Sequence, residues 1–172
     1  MDNFLIKIYT EQVQDQLNEA EICFEKIRNN LTDNSVVFGA IHHFLIHVSN
    51  IVKLIQPNIR DNNDFRKYRA ISLTRMYPNL PNLNLNEIHV RNDYEHYDER
   101  IDYWVINSKN HNYADRNIGP IAAIKGLDPK DNFRWFDNAK MTLYFCGREY
   151  HLSDLFTYIQ KVKEAINEQK AG

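Results

Sequence analysis

EIHVRNDYEHYDERIDYW, Glu87–Trp104, is a stretch of eighteen residues without glycine or proline. Val90, Tyr94, Tyr97, Ile101 and Trp104 recur at steps of four, three, four and three, the period of one face of an α-helix. At about 100° per residue these positions share one side, which other helices must cover. The spacing predicts one unbroken helix over 87–104, extending toward Ile106. Its far side gathers Arg91, Asn92, Glu95, His96 and Glu99, the densest polar chemistry in the chain. A helix with one aromatic seam and one charged side belongs in a bundle.

Upstream, the same period repeats twice. Val13, Leu17, Ala20, Phe24, Ile27 and Leu31 predict a first helix over about Asn3–Asn29, with Cys23 beside the stripe as a small hydrophobe. Thr32-Asp33-Asn34-Ser35 is a polar break rich in N-cap residues. Val37, Ile41, Phe44, Val48, Ile51 and Ile55 predict a second helix over about Ser35–Gln56, ending before Pro57. Val36, Ala40, Leu45, Val52 and Leu54 make that helix apolar nearly all round, so it should be the most buried element. A third helix is expected over Asp64–Met76. Two prolines then exclude regular helix over Tyr77–Asn82.

Downstream, Asn107–Asn132 reads as a long Asn-rich loop, a length often tied to function. Phe133–Asp137 and Met141–Cys146 alternate as strands around a turn at Asp137–Lys140. Cys146-Gly147 suggests a further turn before a short segment at Glu149–His151. A last helix over Ser153–Gln169 has Phe156, Ile159, Val162 or Lys163, and Ile166 inward. The expectation is a mainly α fold, a bundle of four or five helices, with a small β-hairpin over 133–151 inserted before the C-terminal helix. One domain over 1–172 is the natural count for 172 residues.

Composition narrows the function. A net charge of −2 argues against a non-specific nucleic-acid coat, which needs a strongly basic surface, while leaving room for a local phosphate site. The two cysteines, Cys23 and Cys146, have no metal or redox spacing. With no leader-like N-terminus, they lead us to expect a reducing, cytoplasmic setting. The apolar runs read as too short to span a bilayer.

Arg91 is followed by a polar residue, Asn92, and five positions on by His96. This arrangement resembles the Arg-x4–6-His motif of the HEPN superfamily (higher eukaryotes and prokaryotes nucleotide-binding domains). The placement agrees, on a late helix of a helical bundle after a long hydrophobic second helix. The resemblance covers about residues 1–106 and 152–170. It implies a HEPN-like bundle and metal-independent endoribonuclease activity at a homodimer interface where two copies of the motif meet. It also implies a toxin–antitoxin or phage-defence setting, with an antitoxin protein as a further partner. Arg91 and His96 would be catalytic. No cofactor or metal is called for.

The chemistry fits those residue types. Imidazole can take the proton of an RNA 2′-hydroxyl or return one to the leaving oxygen near neutral pH. A guanidinium offers a forked, permanently charged donor to the phosphate. An isologous dimer doubles both groups and supplies a cleft. Asn92 and Glu95 would contact substrate or orient the imidazole, and His47 or Asn50 would line the same cleft. A second reading is a non-catalytic module that binds a nucleotide or a partner protein there. The plain alternative is a solvated helix face, where pairs such as Arg91–Glu95 contribute only ~0.2–0.5 kcal/mol each.

Other sets are open to two readings. His43 and His47, with His42 adjacent, have metal-ligand spacing but lack an evident third ligand. Hydrogen-bonded core histidines are the plainer account. Arg66, Lys67, Arg69 and Arg75 could guide an RNA backbone or form an ordinary charged face. Phe133, Trp135, Phe136, Tyr144, Phe145 and Tyr150 could stack bases, although a small sheet packed on the bundle explains them more simply.

Overall fold

The computed structural model describes residues 1–56, 64–84 and 89–171, apart from the side chains of 90–92, 170 and 171. Among them the chain is mainly helical, with a small four-stranded sheet. Helix α1 (Asn3–Asn29) starts where Asp2 accepts the Leu5 N–H at 2.9 Å. All five stripe positions from Val13 to Ile27 are buried in it, as is Cys23. Helix α2 (Asn34–Ile55) is capped by Asp33, whose side chain accepts the Ser35 and Val36 N–H groups.

Helix α2 is the centre of the molecule. Its six predicted core positions are all buried, and α1, α3 and α4 pack against it. Each fully buried aliphatic or aromatic side chain contributes about 1.5–3 kcal/mol, so this helix dominates the core. By length and composition it is also apolar enough to cross a membrane, contrary to the expectation that no apolar run is long enough. Its burial between other helices is that of a core element. Arg69 of α3 (Asp64–Met76) closes its C-terminal end. The guanidinium donates to the Leu54 and Lys53 carbonyls at 3.1 and 2.6 Å and lies 5.3 Å from the Tyr9 ring centre. A cation suits the negative end of the helix dipole.

Beyond α3 the chain turns at 78–79 and continues without regular structure to 84. There the Gln56 carboxamide donates to the Leu83 carbonyl at 3.0 Å and accepts the Leu83 N–H at 2.9 Å. The Tyr158 hydroxyl donates to the same Gln56 oxygen at 3.2 Å.

The predicted single helix over 87–104 is two helices, α4 (His89–Glu95) and α5 (Tyr97–Asn107); 87 and 88 lie outside the described residues. His96 sits at the break with φ −107° and ψ 41°, and its carbonyl accepts the Arg100 N–H. No glycine or proline marks this point, so the cause is tertiary. Residues seven apart in an unbroken helix are about 10.5 Å apart along the axis. The break brings the Arg100 guanidinium onto Asp93, 3.0 Å from Oδ1.

The predicted hairpin is a larger unit. Strand β1 (Asn117–Ile118) pairs parallel with β2 (Arg134–Asp137). Antiparallel β3 (Thr142–Phe145) and β4 (Arg148–His151) follow. Between β3 and β4, Cys146 and Gly147 have φ of 48° and 80°, the two positive values of a tight two-residue hairpin turn. Phe136, Leu143, Phe145 and Tyr150 join the buried cluster of α1 and α2. By strand alternation Trp135, Tyr144 and Glu149 face the other side. The 119–131 segment lies over that side, with Trp135 Nε1 donating to the Gly119 carbonyl at 2.7 Å. The hairpin aromatics are packing residues, since all six are buried. Helix α6 (Leu152–Ala171) returns along α1, where Lys163 and Gln160 hold Glu21.

Candidate functional site at the α4–α5 corner

Asp93 is only 2% exposed, although its neighbours in sequence read as a polar face. Three groups satisfy its carboxylate. Arg100 reaches Oδ1 from α5, while the Tyr150 hydroxyl donates to Oδ2 at 2.9 Å and Arg148 at 3.4 Å from β4. Tyr150 and Arg148 point the same way because they are two apart on one strand. One carboxylate against two guanidiniums leaves a positive surplus. Arg148 carries it outward, with a side chain 60% exposed.

Burial, aided by the Asp93 charge, pushes the Tyr150 phenol up to about 12. Burial and Asp93 do the same to the Cys146 thiol, also to about 12. That sulfur is therefore a thiol near neutral pH and no nucleophile.

Next to Asp93, Tyr94 stacks on His42 of α2, ring centres 4.8 Å apart and planes 11° from parallel. The Tyr94 hydroxyl is buried and has no hydrogen-bond partner among the described residues. Burial drives its pKa upward. Burial lowers the His42 pKa, with the charges of His43 and Arg134 adding to it.

Tyr97 opens α5 and meets Arg134 of β2, whose guanidinium lies 4.8 Å from the ring centre. The Tyr97 and Tyr113 hydroxyls are 2.8 Å apart. Burial alone would lower the Arg134 pKa, but its ion pair with Asp115 outweighs this and raises it. The aromatic corner thus meets the sheet through the Arg134–Tyr97 contact, and the segment before β1 pairs with both, Asp115 with Arg134 and Tyr113 with Tyr97.

The sequence-derived candidates fall in different places. The backbones of Arg91 and Asn92 are in α4, and their side chains lie outside the described residues. Glu95 is exposed. His96 is exposed at the break, with Nδ1 3.2 Å from Glu99 Oε1. It precedes Arg100 by four residues, so an imidazole and a guanidinium share one turn of α5. His47 and Asn50 are turned toward α1, each 3.0 Å from Gln16 Oε1. His42 instead faces α4, with the exposed His43 ring beside it at 6.0 Å between centres, while His47 turns to α1. Among the described residues, no group of three or more His, Cys, Asp or Glu side chains could hold a metal. Arg69 of the basic set is committed to the end of α2.

Sequence reasoning missed Asp93, Arg100, Arg148 and Tyr150. The one available signal was that Asp93 and Arg100, seven apart, share a helix face. Together the corner presents an exposed imidazole and two guanidiniums beside a buried anchor, a set able to bind a phosphate and move a proton. No family model matches this chain, and no curated protein or solved structure matches it.

Proposed function

We propose that this chain is an endoribonuclease of HEPN type, with a HEPN-like bundle, acting as a homodimer without a metal and serving a toxin–antitoxin or phage-defence system. Arg91 and His96 are its catalytic pair. The observation that carries this reading is the exposed His96 at the α4–α5 break, one turn from Arg100 and its Asp93–Arg148 network.

In the reaction, one imidazole takes the proton of an RNA 2′-hydroxyl. The freed oxygen bonds to the adjacent phosphorus. The bond to the 5′-oxygen breaks, and a second imidazole protonates that leaving group. Guanidiniums hold the phosphate oxygens as their charge grows. Two copies of the chain meeting at this corner would supply two His96 imidazoles. Helix α5 supports such a contact, because Tyr103 and Ile106, on the side of His96 and Glu99, are 52% and 80% exposed.

Incubation of the purified protein with single-stranded RNA in EDTA tests this. Cleavage is expected, and His96→Ala should lower its rate by about 10²-fold or more. Equal RNA loss with wild type and His96→Ala sinks the proposal. Ile106→Arg should give a monomer in sedimentation and lose cleavage together with the dimer.

A further inference from the structure

The outer face of the sheet carries a feature that the corner does not use. A cleft of about 530 Å³ lies between this face and the 121–129 segment. That volume is within the range of sites for small molecules. Ile124 and Leu127 line it on the loop side and Tyr144 on the sheet side, with Lys125 and Glu149 also at its wall. Asn132 borders it as well. This residue is 6% exposed, and its Oδ1 is buried without a hydrogen-bond partner among the described residues.

An unmade hydrogen bond at a buried oxygen is costly, and nothing in the local fold requires it. The backbone of Asn132 already does the structural work, donating to the Pro129 carbonyl and accepting the Cys146 N–H at 2.9 Å. Its Oδ1 is closed off beside the cleft wall, so a ligand would engage it by turning the carboxamide into the cleft. A carboxamide presents a donor and an acceptor side by side. The complementary pattern, an exocyclic amine beside a ring nitrogen, is found on adenine and on cytosine, of which the two-ring adenine covers more apolar wall. A flat base also suits the apolar walls that Ile124 and Leu127 supply. Glu149, opposite Tyr144 in the strand register and exposed, is placed to accept from ribose hydroxyls.

We propose that this cleft is a binding site for adenine nucleosides, with the Asn132 carboxamide reading the base. It is independent of the His96 corner. Arg148 points to Asp93 on one face of the sheet, and its neighbour Glu149 lines the cleft on the other.

Titration calorimetry of the full chain with adenosine tests the proposal. Saturable binding is expected. N6,N6-dimethyladenosine, which lacks the amine donors, should bind at least about tenfold more weakly. Asn132→Leu should weaken adenosine by a similar factor, and Ile124→Arg, at an exposed position, should block the cleft without touching the core. If Asn132→Leu does not fold, the dimethyl analogue on the wild-type chain makes the same measurement. No heat at millimolar adenosine overturns the proposal. So does adenosine binding that dimethylation and Ile124→Arg leave unchanged.

Discussion

Asp93 shows how much one side chain can hold. Its carboxylate ties α4 to α5 through Arg100 and to β4 through Arg148 and Tyr150. Removing it leaves the buried Tyr150 phenol without its acceptor, while Arg100, 33% exposed, and Arg148, 60% exposed, can turn to water. Asp93→Ala should therefore cost about 1–3 kcal/mol, read as a lower urea midpoint. Arg148→Ala leaves Arg100 and Tyr150 in place and removes a largely exposed partner, so it should cost less than about 1 kcal/mol. Equal costs would mean that the anchor is not Asp93. Cys146, raised to about 12 by burial and then by Asp93, should react with iodoacetamide far more slowly in the folded chain at pH 8 than in urea. Beyond the shared face of Asp93 and Arg100, none of this was legible in the sequence, where Asp93 reads as one more charge on a wet helix. Its burial is decided by residues 55 and 57 positions away.

Elements were legible where period alone decides them. The stripes of α1 and α2 gave both helices, because each apolar face is long and has a clear polar break between. The α4–α5 break was not, since local propensity favours continuation and the contacts that oppose it, at Asp93, Tyr94 and Tyr97, are tertiary. Strand β1 was missed for a related reason: two residues in an Asn-rich loop carry no alternation.

Helix α2 also sets a pH response. Burial lowers the pKa of both His42 and His47, with His43 and Arg134 contributing at His42. The folded chain keeps them neutral, whereas the unfolded chain protonates them as pH falls through about 6.5. The unfolded form then binds more protons. This stability is therefore present above that pH and lost as pH falls toward the lower folded values. The melting temperature should be lower at pH 5 than at pH 7.5, and His42→Gln with His47→Gln should flatten the difference. An unchanged slope in the double variant would remove these histidines as its source.

For the whole molecule, the sheet shares the core with the helices. Phe136, Leu143 and Phe145 are fully buried in the cluster that holds α1 and α2. Excising 133–151, the segment that reads as an insertion, should yield a chain that binds hydrophobic dyes and loses helical circular dichroism. Unfolding followed by tryptophan fluorescence, with Trp104 and Trp135 both near the sheet, should coincide with unfolding followed by helix content. Two separate transitions would mean two independent units. The sequence showed the helices and the alternating strands, but not that their inner faces meet, because periodicity gives a face and not its partner.

Gln56 acts as a stand-in peptide group. By giving and taking one hydrogen bond with Leu83, it behaves as a one-residue strand, and Tyr158 steadies it from α6. The crossing from α3 to α4 is thus moored a few residues before the segment bearing Arg91 and His96. Gln56→Leu would remove both Leu83 bonds and the acceptor of Tyr158 together, so the strap leaving α3 should be the first backbone to open in hydrogen exchange.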